Sequence, residues 1–102
     1  MYKRQTNSGA ESIEGAMKLA KRATGRSEII SCKDSYHGST QGALSIMGNE
    51  ENKAKYRPLL PNCSTIRYNN EKSLENITTK TAAVVIEIIQ GGTGFFLSLI
   101  HI

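Results

Sequence analysis

The chain has 102 residues, 38% of them apolar and 22% charged, and its thirteen Lys and Arg against nine Asp and Glu give a formal charge of +4. That length admits one domain at most, and the organised apolar blocks exclude disorder, a coiled coil and a collagen-like chain. The two cysteines, Cys32 and Cys63, are too few for a disulfide scaffold and lack C-x-x-C spacing, so they read as small, buried, reduced thiols.

The first predicted element is a helix over Gly9 to Thr24. Ser8-Gly9-Ala10-Glu11 matches a capping box, Ile13, Ala16, Met17, Ala20 and Ala23 recur at helical spacing, and Gly25 is a good stop. Gly15 inside it costs roughly 1 kcal/mol relative to Ala. A strand over Glu28 to Cys32 follows, then a polar loop holding Tyr36-His37-Gly38, a short helix over Gln41 to Met47 and a charged helical turn over Glu50 to Tyr56. Pro58 and Pro61 punctuate what comes next. Cys63 to Tyr68 reads as a strand and Glu71 to Ile77 as a helical turn. Ala82 to Ile89, continuously apolar apart from Glu87, has the pattern of a strand covered on both faces, and the glycines at 91, 92 and 94 end it in a turn. Alternating helices and strands predict an α/β layer with a mostly parallel sheet and flanking helices. A doubly covered strand needs more neighbours than this chain supplies, so the chain is expected to be part of a larger domain.

No apolar segment opens the chain, and the Ala82–Ile89 run is too short to span a bilayer. The expectation is a cytoplasmic protein with no membrane partner. Dispersed lysines leave a nucleic-acid reading with net charge alone, so no nucleic acid is expected. His37 and His101, the only histidines, have no ligand partner at helical spacing, so no metal is expected. No G-x-S-x-G is present to support a hydrolase reading of Ser35 and His37.

Two stretches carry chemistry. Small residues at Ser8, Gly9 and Ala10 open a helix whose free N–H groups and dipole suit an anion; the same residues also make an ordinary N-cap. Tyr36, just beyond a strand end, either covers a flat ligand ring or packs on its own loop. Glu87 is a carboxylate among apolar residues, either part of a site or at a strand end near solvent.

Taken together, these residues resemble the class III pyridoxal-phosphate aminotransferases. The resemblance rests on Thr6-Asn7-Ser8-Gly9-Ala10-Glu11 running into Lys18-Leu19-Ala20, then Thr24-Gly25-Arg26, Ser35-Tyr36-His37-Gly38, Gly42-Ala43-Leu44-Ser45, Pro58-Leu59-Leu60-Pro61 and Thr81 to Glu87 leading into Ile89-Gln90-Gly91, all in the family's order. Ser39 to Ser45 with Gly48-Asn49-Glu50 looks most like the family's acetylornithine branch. The family-like segment is 6–94. The resemblance implies part of the large domain of a fold type I transferase and pyridoxal 5'-phosphate as cofactor. It implies transfer of the amino group of N-acetylornithine to 2-oxoglutarate in arginine biosynthesis, and a homodimer. Ornithine or 4-aminobutyrate as donor, or a small non-catalytic phosphate-binding module, are the alternatives. By the same resemblance Ser8, Gly9 and Ala10 hold the cofactor phosphate, Tyr36 stacks on its ring, His37 and Gly38 shape the loop, and Glu87 is the strand-end carboxylate. Ile88 stands where the family usually has Pro, and Gly92 where it usually has Glu. No lysine here matches the family's Schiff-base position and no aspartate its pyridine partner. No catalytic residue is therefore assigned, and the chain alone is expected to be inactive. Residues 1–5 and 95–102 do not continue the family pattern and are expected to be foreign to it.

Overall fold

Ser8 and Gly25 bound the first helix, α1 (Gly9–Thr24), as the local signals require. The structure, a computed structural model, describes Lys3, residues 5–90 and the backbone of Phe96 and Leu97. The expected glycine turn, the departure at Gly92 and His101 lie outside the described residues. At the helix start, Ser8 Oγ accepts from the Glu11 N–H at 3.2 Å. The Glu11 carboxylate accepts from the Asn7 N–H at 2.7 Å, so the capping box closes one residue before the cap itself. Gly25 closes the other end, its N–H donating to Lys21 O. The buried stripe of α1 is narrower than its spacing suggested: Met17 and Ile13 face the core, while Ala16 and Ala23 are exposed.

Three parallel strands form the sheet, in the order β2 (Cys63–Ile66), β1 (Glu28–Cys32), β3 (Thr81–Val85). Side chains alternate across β1. Ile29 packs with Met17 of α1 and with Ile46, and Ile30 and Cys32 pack on the other face with Ile66 and Tyr68. Ile29 and Ile30 have no exposed surface at all. The doubly covered strand is therefore β1. Of the segment expected to fill that role, Ala82 to Ile89, the part to Val85 is in β3, which among the described residues pairs with β1 alone, and Ile89 belongs to a separate short strand. Val84 stays 37% exposed and Ile88 57%. An apolar β-branched run signals a strand, but it does not say how many neighbours that strand has. Glu87 accordingly lies past the strand end rather than within it. Ile89–Gln90, β4, pairs antiparallel with Phe96–Leu97, β5.

The connections are short. α2 (Gln41–Ser45) is one buried turn and a half, and Glu50–Asn52, Ala54–Tyr56 and Glu71–Asn76 are 3-10 turns instead of α-helix. The strand expected to reach Tyr68 stops at Ile66. Tyr68 then folds beneath the sheet, its hydroxyl donating to Glu87 O at 2.7 Å and Ile88 O at 2.8 Å. Both cysteines are free thiols, Cys32 buried and Cys63 only half-buried, the latter a correction to the reading of both as buried.

Candidate functional site

At the carboxyl end of β1 the chain must turn sharply, and Gly48 makes this possible. Asp34 enters the left-handed region (φ 62), the Asp34 N–H donates to Gly48 O, and the Gly48 N–H donates to Ser35 O. A side chain at Gly48 would fall on the backbone of Cys32, Asp34 and Ser35. The chain then runs back over the start of α1 as Tyr36-His37-Gly38. Gly38 has φ 134, a conformation L side chains rarely adopt, and an added Cβ would lie 2.6 Å from Ala10 Cβ. The loop thus touches the helix start directly.

Between them opens a cleft of about 790 Å³, with Gly9, Ala10 and Ile13 on one side and Tyr36 to Thr40 on the other. The N–H groups of Gly9 and Ala10 belong to the first turn and have no acceptor within the helix, and the helix dipole adds partial positive charge there. Ser8 Oγ already accepts from Glu11, but its hydroxyl proton remains available to an acceptor. Tyr36 is 57% exposed, its hydroxyl 3.3 Å from Ser39 Oγ, so its ring face is open to a ligand. His37 is buried, and that burial pushes its pKa down and keeps the imidazole neutral. Its Nε2 is buried without a partner, as is Ser35 Oγ, which leaves polar atoms beside the cleft unsatisfied.

Behind the cleft, Glu14 Oε1 accepts from Thr40 Oγ1 at 2.6 Å and from the Ala43 N–H at 2.9 Å. Burial opposes the charge on Glu14, yet the bonds from Thr40, Ala43 and Gly42 outweigh it and hold the carboxyl below its ordinary range. Glu87 does not line the cleft. It sits near Cys32, whose thiol is pushed up by burial first and by the Glu87 carboxylate second, and its own Oε2 is buried without a partner.

The structure therefore brings Gly9, Ala10, Tyr36 and His37 to one cleft beside the cap Ser8, and leaves Glu87 outside it. Such a cleft offers an anion two or three donors and a flat ring an aromatic face. Among the described residues no lysine lines it, and no group of histidine, cysteine or carboxylate side chains could hold a metal ion. Sequence reasoning assigned no structural role to Glu14, Gly48 or Gln90. Glu14 carried a signal, a carboxylate beside the core-facing Ile13 and Met17 on one helical stripe. Gln90, buried and donating from Nε2 to Lys33 O at 2.8 Å, carried none.

Fold and cleft together define an α/β segment with an anion-ready helix start beneath a strand-end loop. A model of the family Aminotransferase class-III matches residues 4–99, and the chain belongs to that family. It is 43% identical over 90 residues to the acetylornithine aminotransferase of Lactiplantibacillus plantarum, a match covering 88% of this chain and 23% of that protein. It is 44% identical over 88 residues to the LysW-aminoadipate semialdehyde/glutamate semialdehyde transaminase of Sulfurisphaera tokodaii, covering 86% of this chain and 23% of that protein. Among solved structures it superposes on the taurine:2-oxoglutarate aminotransferase of Bifidobacterium kashiwanohense, in complex with PLP and glutamate. The TM-score is 0.78 at 30% identity, covering 91% of this chain and 26% of that one. The chain spans about a quarter of the length of these relatives.

Proposed function

We propose that the chain supplies the part of an aminotransferase active site that holds the phosphate and one ring face of pyridoxal 5'-phosphate. The observation that carries this is the pairing of an open helix start, Gly9 and Ala10, with a loop bearing an exposed tyrosine and a buried, unpartnered histidine nitrogen. The phosphate would accept from the Gly9 and Ala10 N–H groups and from the Ser8 hydroxyl. Tyr36 would cover the ring, and the neutral His37 would offer Nε2 to a polar atom at the cleft wall. Close contact of Gly38 with Ala10 holds the loop against the helix start. When bound, the cofactor acts as an electron sink and carries the amino group between donor and acceptor. The described residues position it; the amine for covalent capture does not come from among those lining the cleft.

For the whole protein we favour N-acetylornithine as donor and 2-oxoglutarate as acceptor, because the acetylornithine aminotransferase of L. plantarum is similar over most of this chain. A LysW-linked aminoadipate semialdehyde, as in the S. tokodaii enzyme's name, is equally compatible with the identity over this segment. A homodimer in the cytoplasm belongs to the same reading; among the described residues no helix is long and apolar enough to cross a membrane.

Titration of the chain with pyridoxal 5'-phosphate, followed by absorbance and by competition with inorganic phosphate, tests the site. Gly9→Pro removes one N–H at a position where proline suits a helix. It should weaken both ligands about tenfold, the effect of losing one charge-assisted hydrogen bond. Tyr36→Ala should weaken pyridoxal 5'-phosphate alone. Equal binding by Gly9→Pro and the parent chain would remove the helix start from the site.

A further inference from the structure

We propose that Glu14 is a positioning residue: from α1 it caps the start of α2 and so fixes the Tyr36–Gly38 loop at its height over Gly9 and Ala10. This rests on the reading of the cleft as the pyridoxal 5'-phosphate site. A helix start leaves its first N–H groups without acceptors, and the residue before the helix normally supplies one. Thr40 occupies that place before α2, yet its side chain makes no cap bond. Its hydroxyl donates instead to Glu14 Oε1 at 2.6 Å, and the same oxygen accepts the Ala43 N–H at 2.9 Å. The cap of α2 therefore comes from another helix, 29 residues earlier in the chain. Gly42 permits it, since a Cβ there would fall on the Glu14 carboxylate.

The loop is consequently held at two ends. Gly48 grips it through the backbone of Asp34 and Ser35, and Glu14 grips it at Thr40. Between these anchors Gly38 rests on Ala10. Tyr36 is largely exposed and has one side-chain hydrogen bond, to Ser39 within its own loop, so its position follows from the anchors. Glu14 itself does not line the cleft. Its influence on a ligand has to pass through the loop.

The test compares the chain with Glu14→Ala, Glu14→Gln and Thr40→Val. The readouts are the nuclear Overhauser contact between Gly38 and the Ala10 methyl, amide exchange at Gly42 and Ala43, and affinity for pyridoxal 5'-phosphate and for inorganic phosphate. In Glu14→Ala the contact should vanish, the two amides should exchange at least about tenfold faster, and pyridoxal 5'-phosphate should bind about tenfold more weakly, the scale of lost hydrogen bonds to a charged acceptor. Inorganic phosphate, held by the helix start, should bind as before. Glu14→Gln keeps the accepting oxygen and should restore the contact and most of the affinity. An intact contact and unchanged exchange in Glu14→Ala overturn the proposal, as does an equal loss of both ligands. If the parent chain binds no pyridoxal 5'-phosphate, the reading of the site fails, while the contact and the exchange still judge Glu14. Should Glu14→Ala not fold, Thr40→Val decides, since it releases the loop from Glu14: a lost Gly38–Ala10 contact supports the anchor at Thr40, and an intact contact overturns it.

Discussion

The segment from α1 through α2 and the segment from β3 through β4 each set a glutamate beside apolar packing, Glu14 in the first and Glu87 in the second. In the first, Ile29 and Ile30 are fully enclosed and Glu14 is met by three donors. In the second, Val84, Ile86 and Ile88 stay partly in solvent and Glu87 keeps a buried oxygen without a partner. The second segment is the more apolar, seven residues of ten against thirteen of thirty-seven, and yet the less buried; what differs is the number of neighbours. β1 has a strand on either side and side chains packed on both faces, whereas β3 has one described partner. A residue's burial is thus set by its place in the strand order as much as by its own side chain.

Core truncation should expose this contrast most strongly. Ile29→Ala should cost about 2–5 kcal/mol, as large-to-small changes at enclosed sites do, and Val84→Ala less than about 1.5 kcal/mol, as for a partly exposed side chain. Urea midpoints measure both, and equal costs would erase the distinction between the two segments. Gly38→Ala comes next, at about 1–3 kcal/mol for a strained φ plus a Cβ pressed on Ala10, with pyridoxal 5'-phosphate affinity falling alongside. Ser8→Ala should lose about 1 kcal/mol of stability through the lost cap, read by thermal unfolding. The pair of glutamates gives the smallest static effect: Glu87→Gln should be neutral or stabilising by under about 1 kcal/mol, because it removes a charge whose buried oxygen has no partner. A marked loss there would show that Glu87 has a partner as good as those of Glu14.

Acid should act on the first segment in two stages. Burial holds the folded pKa of His37 below its ordinary value of 6.5, so the unfolded chain binds its proton first and stability falls as pH drops below about 6.5. The Glu14 carboxyl is also held below its ordinary value, 4.5, so its contribution is present above that pH and is lost as pH falls through the folded value. Urea midpoints across this range should show the upper stage disappear in His37→Asn and the lower one in Glu14→Ala.

Much of the fold was legible because its signals are local. Ser8, Glu11 and Gly25 mark the ends of α1 within a few residues, and Ile29 and Ile30 declare a strand by themselves. That Gly9 and Ala10 open a helix and that Tyr36 follows a strand was readable for the same reason; a role at a ligand was not, since a small-residue helix start is also an ordinary cap and a loop tyrosine also packs on its neighbours. Strand order was not readable, since nothing in Thr81 to Val85 records which side of β1 it joins. Nor was the role of Glu14, whose partners lie 26 and 29 residues away. The helical turns at 50–56 and 71–76 were legible, but not their 3-10 form, because charged residues at that spacing serve either form.

The borrowed cap also bears on the order of assembly. Five residues are far too few to hold a helix in water, and α2 has no cap of its own. It is a conditional helix, completed only when α1 is already in place to receive its N–H groups. α1 leaves the ribosome first and carries its own cap, so it can stand as a template while residues 40–45 are still being made. The expected order is helix first and tyrosine loop second, and pulse-labelled amide exchange that protects α1 before Ala43 would record it.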